Sequence, residues 1–261
     1  MEQDNFKIAN IPLGTGAGLA GLVGFAGFFA LAVLLFITEN FFASLFFVSL
    51  SLLFYVTGKD MGKVLLSSFT MFFSSRHLVS GATYIEETLM ALRKSLKLIQ
   101  ANPLKAGQVI VLPNNPLTND IQKLINEGKD FDYIEYVAHS YYVECHELYD
   151  FASANLDFVA VSMPIFGLIG TVLGLMSMFD NLGGEITIDV LSPQLAMALK
   201  TTLYGALFSA VYKILGSRFE RRITTLDYDY ETFCRGLQVL LENKVKIEIL
   251  TESLGQVETA K

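Results

Sequence analysis

Residues 158 to 179, FVAVSMPIFGLIGTVLGLMSMF, run for 22 positions without a charge between Asp157 and Asp180. As an α-helix rising about 1.5 Å per residue, the stretch is about 33 Å long and can cross the apolar core of a bilayer. A helix that met only lipid could be built from Leu, Ile and Val alone. This one holds Pro164, Gly167, Gly170, Thr171 and Gly174. Small and polar residues inside a span indicate close contact with other helices or with a pore.

The rest of the chain is consistent with a membrane protein. Of 261 residues, 52% are hydrophobic and 17% charged, with mean hydropathy +0.45, which excludes an ordinary soluble domain. Uncharged or nearly uncharged runs predict three more spans: residues 8 to 38, Asn40 to Gly58, and Leu191 to Tyr212, the last interrupted only by Lys200. The first is read as a retained helix and not a signal peptide, because its head carries Glu2 and Asp4 against Lys7 and its core is long. Of the 19 Lys and Arg residues, nine lie from Lys59 to Lys129 and eight from Lys213 onward, while the turn at Glu39 and the loop from Asp180 to Asp189 have none. Positive-inside reasoning then places both large hydrophilic regions and both termini in the cytoplasm. The expected organisation is all-α: residues 1–58 as the first two transmembrane helices, 59–157 as a cytoplasmic helical region, 158–212 as a pore-lining pair, and 213–261 as a cytoplasmic helical tail.

Within the cytoplasmic region, Ile85, Leu89, Leu92, Leu96 and Ile99 recur at helical spacing on one face. Pro103, Pro113 and Pro116 break the helix that follows, which resumes near Thr118 with a break near Gly128. No strand pattern stands out, and the run after residue 213 is read as helical through its KIEI segment. The net charge of −7 argues against nucleic acid. Cys145 and Cys234 read as free structural thiols. His139 and His146, seven apart, are about 10 Å apart along a helix, too far to share a metal. With no phosphate-binding Gly-Lys-Ser/Thr loop and no Ser-His-Asp pattern, neither catalysis, a cofactor nor a metal site is expected.

The residues that could do work lie in the spans. Gly18, Gly21, Gly24 and Gly27 repeat every third position and suit helix packing. Pro164, Gly167, Gly170, Thr171 and Gly174 pair with Pro193, Thr201, Thr202 and Gly205 of the next helix. A span threonine can bond back to its own helix or offer its hydroxyl to an ion or water, and glycines beside it thin the wall. Pro164 removes a backbone hydrogen bond and bends its helix. Lys200, nine residues into its span, either snorkels to the outer interface or pairs with an acid. The spans themselves contain no Asp or Glu, so any intramembrane acid must come from another subunit.

The segments PIFGLIGTVLGLMSMFDNL and LSPQLAMALKTTLYGAL, with NDIQKLINEGKDFDYIEYVAHSYYVECHELYDF before them, resemble the MotA/TolQ/ExbB family, and the four-span layout is similar to its MotA branch. The resemblance implies an ion-conducting stator subunit of an inner-membrane rotary motor. Five copies would surround two copies of a MotB-like or ExbD-like single-span partner whose membrane Asp accepts H+ or Na+. It implies Thr171 and Thr202, with Thr201 adjacent, as pore hydroxyls, Pro164 as the bend or coupling proline of its helix, and Arg93 as a candidate contact to a rotor or switch ring; Pro193 is read from the residues as a second bend or coupling position. Leu215 stands where such proteins have a second proline, and Gln100 near where an acid is expected. The alternatives are an ExbB/TolQ-type energiser of outer-membrane transport or envelope maintenance, and a passive membrane scaffold.

Overall fold

The computed structural model describes residues 19–73, 79–101, 109–180, 188–242 and 246–249. Seven α-helices account for nearly all of these: α1 Leu19–Ile37, α2 Phe41–Thr57, α3 Met61–Phe73, α4 Ser80–Ala101, α5 Pro116–Asn126, α6 Phe131–Asp180 and α7 Ile188–Glu242. Two of them, α6 and α7, are long and apolar enough to cross a membrane. The pair α2 and α3 together makes a third candidate, bent by 109° at the turn Gly58–Asp60, and Gly21–Ile37 is a shorter apolar helix. Residues 8–18 of the expected first span, Gly18 among them, lie outside the described residues.

The expectation of a chain without strands is overturned at one place. β1 (Val109–Leu112) and β2 (Lys246–Ile249) pair in parallel, Val109 opposite Lys246 and Leu112 opposite Ile249. The same finding corrects the helical reading of the tail, since α7 ends at Glu242 and KIEI is extended. Each strand is four residues long, too short to display a period, and each needs a partner far along the chain. The β-branched Val109, Ile110, Val111, Ile247 and Ile249 favour the extended form once that partner is present.

The chain packs as two compact units, one holding the described residues within 75–148 and 221–261, the other those within 10–74 and 149–220. In the first, Ile85, Leu89 and Leu92 of α4 are buried, as their spacing predicts. They share a core with Leu112, Leu117 and Ile121, with Ile134 and Ala138 of α6, and with Leu226, Phe233 and Leu237 of α7. Asn115 starts α5 with a reciprocal cap: its side chain accepts from the Thr118 N–H at 2.9 Å, and the Thr118 hydroxyl accepts from the Asn115 N–H at 3.1 Å. Its amide also donates to the Thr88 hydroxyl of α4 at 3.2 Å, fixing α5 to α4. The expected break near Gly128 is present, with Gly128 at φ +70° between α5 and α6.

In the second unit α1 and α2 form a hairpin whose turn carries Glu39 at φ 61° and Asn40 as the cap of α2. Serines of α2 donate to carbonyls of α1, Ser44 to Ala32 at 2.8 Å and Ser51 to Phe25 at 3.0 Å. Such bonds matter in an apolar setting, where an unmet hydroxyl is costly. Helix α2 also meets α7: Phe42 and Phe46 pack on Phe208, and the Tyr212 hydroxyl donates to Ser49 Oγ at 3.1 Å. This leaves α6 and α7 side by side, held from one flank.

Candidate functional site

The glycines of α6 set how closely α7 can approach. A Cβ added at Gly167 would sit 3.0 Å from the Thr201 carbonyl oxygen, and one at Gly174 would sit 2.9 Å from the Gln194 carbonyl oxygen. From the other side, a Cβ at Gly205 would stand 2.9 Å from both Gly167 Cα and the Met163 carbonyl oxygen. Backbone meets backbone along this seam, so no larger residue fits at these positions without parting the helices. The Gln194 side-chain oxygen, near the Gly174 level, is buried without a hydrogen-bond partner.

The three threonines have different environments. Thr201 is 1% exposed, and its hydroxyl bonds back to its own helix, 3.0 Å from the Met197 carbonyl oxygen and 3.1 Å from that of Ala198. Its side chain fills the space left by Gly170, where an added Cβ would lie 2.5 Å from Thr201 Cβ. Thr201 is therefore a packing residue within this chain. Thr171 and Thr202 instead hydrogen-bond to each other across the seam. The Thr171 hydroxyl also lies 3.1 Å from the Gly167 carbonyl oxygen and 3.2 Å from that of Ala198, and the Thr202 hydroxyl 3.1 Å from the latter.

Two hydroxyls and two carbonyls thus converge at an edge of the seam where Thr202 is exposed. The hydroxyl protons are used within the cluster, but lone pairs remain that can accept from water or solvate a cation. Near neutral pH an alcohol neither takes up an extra proton nor gives up its own. The cluster can orient and solvate a cation or water, but holding a transferred proton near neutral pH takes a carboxylate from elsewhere.

The other expected residues are placed as follows. Pro164 lies within α6 and Pro193 within α7, both exposed. Lys200 is exposed two residues before Thr202, so it stands about 200° round α7 from that hydroxyl and does not join the cluster. Gly24 is pressed against the Phe54 ring, while a Cβ at Gly27 would meet nothing within 4 Å. Arg93 of α4 pairs with Asp229 of α7 at 3.5 Å and lies 5.6 Å from the centre of the Tyr228 ring, within the first unit.

That unit also joins α6 to α7 through a polar cluster. The Tyr142 hydroxyl donates to Asp227 at 2.8 Å, His146 approaches the same carboxylate at 3.8 Å, and Tyr142 stacks on Tyr230 with ring centres 4.4 Å apart. Burial, and next the bond to Asp227, push the Tyr142 hydroxyl up to about 12, so it stays a donor throughout the physiological range. Burial also pushes the Cys145 thiol up to about 12, with its sulfur packed beneath Gly81. Among the described residues no cluster of His, Cys, Asp and Glu could hold a metal ion.

One pair was absent from the sequence reading. Asp157 of α6 and Lys213 of α7 form an ion pair across the two helices, where the sequence shows only the charged end of one apolar run and the first cation after the other. The available signal was their spacing from Thr171 and Thr202, 14 and 11 residues, which puts them on the same helix faces.

Comparison with known proteins finds relatives of part of the chain. Residues 113–232 match the MotA/TolQ/ExbB proton channel family. Motility protein A of Aquifex aeolicus is 33% identical over 100 residues, which is 38% of this chain and 38% of that protein. The Tol-Pal system protein TolQ of Pseudomonas aeruginosa is 36% identical over 98 residues, 35% of this chain and 42% of that protein. The chain thus spans about two fifths of the curated relatives it matches. A solved structure of C. jejuni MotAB superposes with a TM-score of 0.46 at 16% identity, covering 70% of each chain.

Proposed function

We propose, from the premise that residues 113–232 are a domain of the MotA/TolQ/ExbB proton channel family, that this chain is the ion-conducting subunit of a rotary stator in the bacterial inner membrane. The observation that carries the reading is the Thr171–Thr202 hydroxyl pair, set where two glycine-thinned helices meet and where neither span contributes a carboxylate. The missing acid comes from a MotB-like or ExbD-like partner with one membrane helix. Four spans, with both termini in the cytoplasm, surround the partner as a pentamer about a dimer. Protons pass between the hydroxyl pair and the partner's Asp, and each delivers about 2.3 kcal/mol per 100 mV, so useful rotation draws on several ions. Rotation would be passed on through the cytoplasmic unit to a flagellar or other envelope machine, with Arg93 a candidate contact.

A second reading, an energiser of the TolQ kind, is supported by the 36% identity to TolQ over 98 residues. Both readings share the conducting seam and differ in what is driven. The seam is tested by Thr202→Val in the reconstituted complex with its single-span partner. Assembly should be intact and proton flux should fall about ten-fold or more, since the isosteric side chain cannot solvate the ion. Flux at the wild-type level would remove the pore assignment and favour a passive scaffold.

A further inference from the structure

We propose that Asp157 and Lys213 form a second cation station on the same seam, at its inner mouth. There the Asp157 carboxylate receives the ion leaving the membrane, and Lys213 is the tethered counter-ion that the passing cation displaces. The inference rests on the conducting reading and adds a pair of residues that reading does not use.

The geometry is a ladder. The Thr171–Thr202 hydrogen bond and the Asp157–Lys213 ion pair are both bridges from α6 to α7. Asp157 precedes Thr171 by 14 residues and Lys213 follows Thr202 by 11. At about 100° per residue these separations return to within about 40° and about 20° of the starting faces, roughly 21 Å and 17 Å along the axes. Pro164, seven before Thr171, and Ser209, seven after Thr202, fall on the same two faces between the bridges. Pro164 has no N–H, so the carbonyl of Ala160, one turn nearer Asp157, loses its helical donor. One side of the helix pair therefore carries two hydroxyls, then a freed carbonyl and a serine, then a carboxylate with its ammonium.

The chemistry of that order suits a path with an exit. Hydroxyls and carbonyls can pass an ion along but cannot retain a proton, whereas a carboxylate can. The side chains of Asp157 and Lys213 are 41% and 60% exposed in the single chain, and both stand at the charged ends of the two apolar runs. An ion pair this open contributes little to holding a fold together. Lys213 is held in its charged form first by the hydrogen bond to Asp157 and then by that carboxylate's charge, with Glu220 adding to it. When a proton arrives it binds a carboxylate oxygen of Asp157, the Lys213 N–H···O bond breaks, and the ammonium turns to water. The proton then leaves to water and the pair re-forms, with no other bond changed.

The test is proton flux into vesicles holding the purified complex of this chain with its single-span partner, with a pH-sensitive dye trapped inside and a potassium diffusion potential imposed. Asp157→Asn should lower flux about ten-fold or more while the complex still assembles, because the exit acceptor is gone. Lys213→Met should raise flux, because the competing counter-ion is gone. Opposite effects of the two variants are the signature. Equal losses restored by the exchanged pair Asp157→Lys with Lys213→Asp would assign the bridge to the fold and overturn the proposal, as would failure of Asp157→Asn to assemble. Wild-type flux that Thr202→Val abolishes and both pair variants leave unchanged removes this inference alone. No flux from the wild-type complex removes the conducting reading as well.

Discussion

Adjacent threonines 201 and 202 differ by about 100° of helix rotation, and that angle separates a buried hydroxyl bonded to its own helix from an exposed one bonded across the seam. Thr201 is buried against Gly170 with its hydroxyl returned to its own helix, so Thr201→Val keeps the shape and should leave flux within about two-fold, each lost neutral hydrogen bond being worth about 1 kcal/mol. The contrast with Thr202→Val, measured in the same vesicles, tests whether the two roles are distinct. Tyr142 offers a second residue-scale test. Its hydroxyl titrates about two units above the free value of 10, so the folded state keeps a proton that the unfolded state releases. Its contribution is therefore complete below pH 10 and lost as pH rises through about 12. Tyr142→Phe should reduce stability at neutral pH by about 0.5–1 kcal/mol, modest because the bond is exposed, and should soften the alkaline loss of helicity followed by circular dichroism.

At the scale of elements, the close pairing of α6 and α7 depends on glycine. Gly170→Ala would put a methyl 2.5 Å from Thr201 Cβ, an atom fixed to the backbone, so the helices must separate. Overpacking of this kind costs about 1–3 kcal/mol, and the variant should show a lowered melting temperature in detergent. Gly27→Ala, facing open space within the chain, should melt like wild type. These helices were legible in the sequence because the membrane demands length and apolarity, and because glycine and threonine stand out against Leu and Ile. Helix α4 was legible for the same kind of reason, its buried face repeating at Ile85, Leu89 and Leu92. The β1–β2 pair was not, because four residues carry no period and the pairing is non-local. Nor was the division of labour between Thr201 and Thr202, which depends on the rotation of α7 about its own axis. The Asp157–Lys213 bridge is not legible because charges flanking an apolar run mark its limits equally well whether or not they pair, although their spacing aligns them with the hydroxyls.

At the scale of the whole molecule, residues 113–232 match the MotA/TolQ/ExbB proton channel family, and an apolar helical hairpin, α1 and α2, precedes them. The two long helices α6 and α7 each contribute residues to both compact units. The apolar runs of this sequence hold no Asp or Glu, so the proposed ion site takes its carboxylate from a second protein. The most direct measurement is proton flux into vesicles containing this chain alone, the chain with its single-span partner, or the chain with that partner's membrane Asp replaced by Asn. Flux should appear only in the second preparation. Equal flux from the chain alone, or flux undiminished by loss of the partner's carboxylate, would contradict the claim that this protein supplies half of an ion site.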